Sequence, residues 1–168
     1  MRAQPTVSTV RCRTLFGGEK EFAAAELTFR PAAYGLAVWQ GKVLLGRSVF
    51  TGLFDIPGGG VEPWESIEEG MCREYREETG VTPVAARWFT FRESYFAFHH
   101  PFHSLRFYYL VALPPAAYER PQEVLHPQLQ EIRSLSWVDP TQCRPEEFSP
   151  GDWNLVQEAL REAALHPF

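Results

Sequence analysis

The stretch PGGGVEPWESIEEGMCREYREETGV, from Pro57 to Val81, packs glycines and carboxylates into one short segment. Its residue types predict a glycine-rich loop, a helix over Glu65–Thr79, and a stop at Gly80, where a helix C-terminus favours a residue free to take positive φ. An acidic helix is ordinarily a solvated face, with its acids opposite its apolar residues. A helical wheel at roughly 100° per residue tests that reading and contradicts it. Ile67, Gly70 and Met71 share one stripe, and Glu74, Glu77 and Glu78 continue the same stripe within an arc of about 100°. Three carboxylates aimed at a core repel one another and lose hydration, so something must compensate them. Arg73 is one neighbour, but one guanidinium does not satisfy three carboxylates. Hard divalent cations do, because carboxylate oxygens are their preferred ligands. Glu68 and Glu69 read as solvated acids near a helix N-terminus, where the dipole favours them.

Around this segment the chain is ordinary. It has 168 residues, 45% apolar and 22% charged, with a formal charge of -5. That length predicts a single domain spanning residues 1–168. The acidic balance argues against a protein that coats nucleic acid or lies on a membrane surface. Cys12, Cys72 and Cys143 are too few and too scattered for a disulfide framework or a zinc site. The N-terminal residues lack the apolar run of a signal peptide, and no segment is apolar over a membrane-spanning length. A reducing, cytoplasmic location is the expectation.

Residues 1–10 are polar and expected to be disordered. Residues 11–30 read as a β-hairpin around Gly17-Gly18, with Pro31 as punctuation. A second strand pair turns at Gln40-Gly41-Lys42. A short strand leads into the glycine loop, and two aromatic strands flank a turn at HHPF, residues 99–102. The proline-broken stretch from Pro114 to Gln130 reads as a loop, followed by a last strand in EIRSLSWVD. The C-terminal helix is expected to be capped by Ser149 with Pro150 in its first turn. Its apolar stripe of Trp153, Val156, Leu160 and Ala163 predicts packing. The order of elements predicts an α/β fold, a mixed sheet with helices on its faces.

The spacing Gly59-x5-Glu65-x7-Arg73-Glu74-Tyr75-x-Glu77-Glu78-x-Gly80-Val81 resembles the Nudix box, the signature of the Nudix hydrolases. Each fixed glycine, glutamate and arginine is present. Tyr75 stands where the family usually has an aliphatic residue, and Pro63-Trp64 replaces the commoner Pro-Gly before Glu65. The resemblance covers 23 residues, far more than a lone glycine motif. It implies an α/β/α sandwich that hydrolyses a nucleoside diphosphate linked to another moiety, or a nucleotide polyphosphate, with Mg²⁺ or Mn²⁺. It further implies that Glu77 and Glu78 are metal ligands, that Glu74 is a ligand or a base, and that the Gly59 carbonyl contributes. Glu65 and Arg73 would hold loop and helix in register, with Gly80 closing the helix. The implied partner is a small nucleotide, with a homodimer allowed for, and without stable nucleic-acid or membrane binding. Two rivals remain at this point: a Nudix-fold sensor that binds a nucleotide without cutting it, and an isoprenoid-diphosphate isomerase relative.

Outside the box, Glu131 is the main added candidate for a ligand or general base, weighed evenly against a surface acid; Glu93 is the weaker alternative. His99, His100 and His103 read as an exposed turn rather than a transition-metal site. Phe54, Tyr95, Phe98, Phe107 and Tyr108 are offered as base-stacking candidates, most of them expected in the core. Arg47, Arg92 and Arg106 are offered as phosphate clamps, with no choice among them.

Overall fold

A computed structural model describes residues 8–119, 121–127 and 131–168. The strands are β1 (Thr9–Thr14), β2 (Glu19–Ala23), β3 (Thr28–Trp39), β4 (Lys42–Ser48), β5 (Phe54–Asp55), β6 (Gly58–Gly60), β7 (Ala85–Ala97), β8 (Pro101–Ala112) and β9 (Ile132–Val138). The helices are α1 (Ile67–Thr79), α2 (Pro115–Glu119), α3 (Pro121–Val124) and α4 (Asp152–Leu165). The sheet runs β2-β1-β7-β8-β3-β4-β5, with β6 joined to β3 and β9 joined to β4. β3 and β8 are parallel, and β7 and β8 form a long antiparallel hairpin, so the sheet is mixed.

Period-two alternation sends side chains from each central strand to opposite faces. Leu36, Val43, Leu45, Tyr108 and Leu110 go to one face, where Leu155, Val156 and Ala159 of α4 cover them. Ala33, Ala37, Leu44, Tyr109 and Val111 go to the other, where Met71 and Tyr75 of α1 cover them. Burial of each large side chain contributes about 1.5–3 kcal/mol. The result is the expected α/β/α sandwich. The Gln40-Gly41 turn also forms as read, both residues having positive φ (50° and 74°) between β3 and β4.

Several expectations shift. Of the ten residues expected to be disordered, 1–7 lie outside the described residues, while Thr9 and Val10 belong to β1. The N-terminal hairpin spans 9–23, not 11–30. A 3₁₀ turn at Ala24–Glu26 ends it, with the Glu26 carboxylate accepting the Ala23 N–H at 2.7 Å. Thr28 to Arg30 already belong to β3, and Pro31 continues that strand, in register with Leu105. The glycine segment is a strand rather than a loop: Gly58, Gly59 and Gly60 lie opposite Tyr34, Ala33 and Ala32. Pro101 opens β8 instead of sitting in a turn, and His103 lies within that strand. The stretch read as a loop holds α2 and α3, with residues 120 and 128–130 outside the described residues. Ala117 and Leu125 pack there under α1, and His126 donates its N–H to the Thr79 carbonyl at 2.9 Å, satisfying the end of α1. No helix among the described residues is long and apolar enough to cross a membrane.

Candidate active site

Helix α1 begins two residues later than its carboxylates suggested. Ser66 is its N-cap: Glu69 donates its N–H to the Ser66 hydroxyl, and the Glu69 carboxylate accepts the Ser66 N–H at 2.8 Å. This reciprocal box satisfies two N–H groups, so Glu69 is more than a solvated acid. The helix stops at Gly80, whose φ of 83° is left-handed and whose N–H reaches the Arg76 carbonyl.

Glu65 therefore precedes the helix, and Arg73 reaches back to it. The guanidinium donates twice to the Glu65 carboxylate, at 2.6 and 3.1 Å, and once to the Gly60 carbonyl at 2.9 Å. Glu65 also accepts the Glu62 N–H at 2.8 Å. The Arg73 contact is the main cause holding the Glu65 carboxyl below the usual carboxylate range. One arginine thus ties the 61–66 connection, β6 and α1 together.

The three carboxylates of the stripe differ in position. Glu78 continues the buried row of Met71 and Tyr75 and is 8% exposed. Glu74 and Glu77 flank that row and turn to Arg73, at 2.8 and 3.5 Å. Glu78 turns to β6, where its Oε2 accepts the Gly58 N–H at 2.8 Å. Burial pushes the Glu78 carboxyl up to about 8, opposed by that N–H and reinforced by the charges of Glu74, Asp55 and Glu131. Gly59 is the point of closest approach: a Cβ there would lie 2.5 Å from Glu74 Oε2 and 2.6 Å from its Cδ. A side chain at this position would displace the Glu74 carboxylate from its place beside Arg73.

Glu78 and Gly58 open onto a cleft of about 840 Å³ on the α4 side of the sheet, lined also by Asp55, Glu131, Arg106 and Asp152. Glu131 stands exposed at the start of β9, and its carbonyl accepts the Val49 N–H at 2.9 Å. Glu93 pairs with His103 at 2.7 Å. His100 bonds the Thr28 hydroxyl at 2.7 Å, and His99 lies against Phe98. Of the three arginine candidates, Arg47 lies over the Phe54 ring at 3.7 Å and bonds the Gly52 carbonyl. Arg92 bonds Glu158 at 2.5 Å. Arg106 faces the cleft with its buried Nε unpartnered among the described residues. Phe54 and Tyr108 are core, Phe107 is half-buried, and Tyr95 and Phe98 are exposed.

Two acids outside the box also line the cleft. Asp55, just before the glycine segment, accepts the Ser149 hydroxyl, so Ser149 does not cap α4. Gly151 occupies the cap position instead, with φ of 94°. Asp152 is 6% exposed, and burial pushes its carboxyl up to about 7, with Arg106 opposing and Asp55 reinforcing. A wheel for α4 would have found it, since Asp152 lies on the stripe of Leu155, Val156 and Ala159.

Among the described residues no three His, Cys, Asp or Glu side chains already stand in a metal-binding arrangement; two of the stripe's acids are turned to Arg73. The donor set nevertheless fits a hard cation. It offers oxygen donors only, and one of them is a buried carboxylate with three further acids close enough to raise its pKa.

A mixed sheet between two helices, with a glutamate-rich helix docked on a glycine strand beside a cleft, defines an α/β/α protein with an acidic site. The NUDIX domain model matches residues 28–159, and the chain belongs to the Nudix family. Nudix hydrolase 6 of Arabidopsis thaliana is 32% identical over 113 residues, 66% of this chain and 35% of that protein. Nucleoside triphosphatase NudI of Escherichia coli K12 is 62% identical over 34 residues, 20% of this chain and 24% of the relative. The matched stretches thus span about a third or less of these relatives. The Mutator MutT protein from Bacillus halodurans superposes with a TM-score of 0.62 at 22% identity, over 78% of this chain and 82% of that one. The MutT Nudix hydrolase from Burkholderia pseudomallei gives 0.59 at 18%, over 80% and 97%. These two likenesses are likenesses of fold.

Proposed function

We propose that the protein is a divalent-metal-dependent hydrolase that cleaves a phosphoanhydride bond in a nucleotide polyphosphate or in a nucleoside diphosphate linked to another group. The observation that carries this reading is Glu78, a carboxylate buried against the Gly58 amide, flanked by acids and open to a cleft. Family membership and the name of the nucleoside triphosphatase relatives support it and make nucleoside triphosphates the first substrates to test.

Glu74, Glu77, Glu78 and the Gly59 carbonyl are the groups that would hold Mg²⁺, or Mn²⁺ in its place. Such an ion, when bound, would withdraw charge from the diphosphate and lower the pKa of a water beside it. Around it, Arg73 and Glu65 fix the distance between β6 and α1, which keeps the carboxylates in place without engaging the substrate. Glu131, exposed on the cleft, takes the proton from the attacking water. Arg106 presents positive charge from the cleft wall. The three unpaired cysteines suit a reducing compartment, and a cytoplasmic location belongs to the same proposal.

The test is a panel of nucleoside triphosphates and nucleoside diphosphate derivatives with Mg²⁺, followed by release of phosphate and pyrophosphate. In water enriched with heavy oxygen, the label is expected on a phosphoryl product. Label found only on a sugar or alcohol, or binding without cleavage across the panel, would overturn the hydrolase reading.

A further inference from the structure

Two phenylalanines from separate turns meet across the mouth of the cleft. Phe50 belongs to the connection between β4 and β5, Phe98 to the turn between β7 and β8. Their rings stand edge to face, with centroids 5.4 Å apart at 63°. They are 48% and 43% exposed, and both line the cleft. Scattered exposed hydrophobics are ordinary, but two aromatic rings brought together over a cleft that also holds Glu78, Glu131 and Arg106 are a concentrated apolar feature at a binding site.

Both turns are built to hold these rings outward. The Ser48 hydroxyl accepts the N–H groups of Phe50 and Thr51, at 3.3 and 3.4 Å. The Thr51 hydroxyl accepts the Leu53 N–H, and Arg47 donates to the Gly52 carbonyl at 2.8 Å. The preceding residue, Val49, is bonded to the Glu131 backbone, which sets Phe50 beside the acidic end of the cleft. On the other side, β1 runs parallel to the end of β7, with Thr14 in register with Ala97, immediately before Phe98. β1 lies ahead of residues 28–159, so this chain supports the Phe98 turn with a strand outside its family-matched region.

We propose that Phe50 and Phe98, already packed edge to face, form an aromatic platform on which the planar base of the nucleotide stacks, an inference that rests on the nucleotide hydrolase reading above. A flat π face stacks on every base, so the platform separates nucleoside phosphates from base-free polyphosphates rather than one base from another. Arg106, on the same cleft, is left to the phosphates.

The experiment compares the full-length protein with Phe50→Ala, Phe98→Ala, the double variant, and Phe50→Trp, all confirmed folded by circular dichroism. The expected result is a 10- to 100-fold fall, in the double variant, in the ratio of kcat/KM for a nucleoside triphosphate to that for inorganic tripolyphosphate. KM is expected to carry that fall, and Phe50→Trp, which keeps an aromatic face, to retain the wild-type ratio. An unchanged ratio in an active double variant overturns the platform. Calorimetric titration with a nucleoside monophosphate and with ribose 5-phosphate reads the platform without turnover. The wild type is expected to prefer the nucleoside and the double variant to lose that preference; a wild type without preference overturns the platform even if hydrolysis is confirmed. Should the wild type cleave no substrate of the panel yet show the preference, the hydrolase reading fails and the platform stands.

Discussion

Helices α1 and α4 lie on opposite faces of the sheet, and each turns one carboxylate inward along its apolar row. Glu78 is 8% exposed and Asp152 6%. Burial raises both carboxyls, to about 8 and about 7. Their surroundings differ in sign. The charged groups acting on Glu78 are all acids, Glu74, Asp55 and Glu131, and one backbone N–H is its favourable contact. Asp152 also feels the charge of Asp55, but it has the Arg106 guanidinium nearby and a hydrogen bond from the Ile56 backbone. The same anomaly in the sequence, an acid on an apolar stripe, thus has two resolutions. Asp152 is offset in part from within the fold, whereas Glu78 has no such cation acting on it, in line with the metal ion proposed for it above.

The sharpest way to break this contrast is Glu78→Gln, which keeps shape and removes charge. If Glu78 is a ligand, calorimetric Mg²⁺ affinity and turnover fall together, by more than the roughly 10- to 100-fold that losing an outer partner of a ligand costs. Intact metal binding and activity would show that the buried acid is structural, like Asp152. Glu131→Gln separates the base from the ligands: turnover drops by about two to four powers of ten while Mg²⁺ affinity changes little. Near-normal turnover would make Glu131 a surface acid and pass the role to Glu74 or Glu93.

Arg73→Met tests the clamp around the α1 acids. It leaves Glu65, Glu74 and Glu77 without their shared cation and lowers stability by about 1–3 kcal/mol, read from the urea midpoint. The site is partly exposed, which keeps the effect below that of a fully buried pair. Added Mg²⁺ is expected to recover part of the loss, since a ligand that binds only the folded state stabilises it.

The effect at α4 is read as a pH dependence. Asp152 has its folded pKa raised from 3.8 to about 7. Between those values the folded state binds more protons than the unfolded state, so stability falls as pH rises through the window. The slope is at most about 1.4 kcal/mol per pH unit for one group. Asn at this position does not titrate. Asp152→Asn is therefore expected to gain stability relative to the wild type between pH 5 and pH 8, measured by urea unfolding at both. A difference between the two proteins that is the same at both pH values would mean that Asp152 stays charged throughout, held so by Arg106.

Local spacing made much of the protein legible. The 3.6-residue period placed α1 and flagged its one buried acid, Glu78, along with two that flank the row instead; Gly80 marked the stop, and the alternating strands around Gln40-Gly41 marked a hairpin. These features depend on neighbours within a few residues, which a sequence displays directly. Tertiary packing decided the rest. Gly58–Gly60 carries no side chains to alternate and becomes a strand only because β3 offers it backbone partners. Ser149 is drawn from a helix cap to Asp55, 94 residues away in sequence. Tyr75 fits where an aliphatic residue is usual in part because Gly35, on β3, leaves room: a Cβ there would lie 2.6 Å from the tyrosine ring. The helical period in the sequence put Glu78 on the apolar row of α1 and Asp152 on that of α4. Whether an inward acid meets a guanidinium, a backbone amide or other acids depends on strands and helices far apart in the chain, and only the folded protein brings those together.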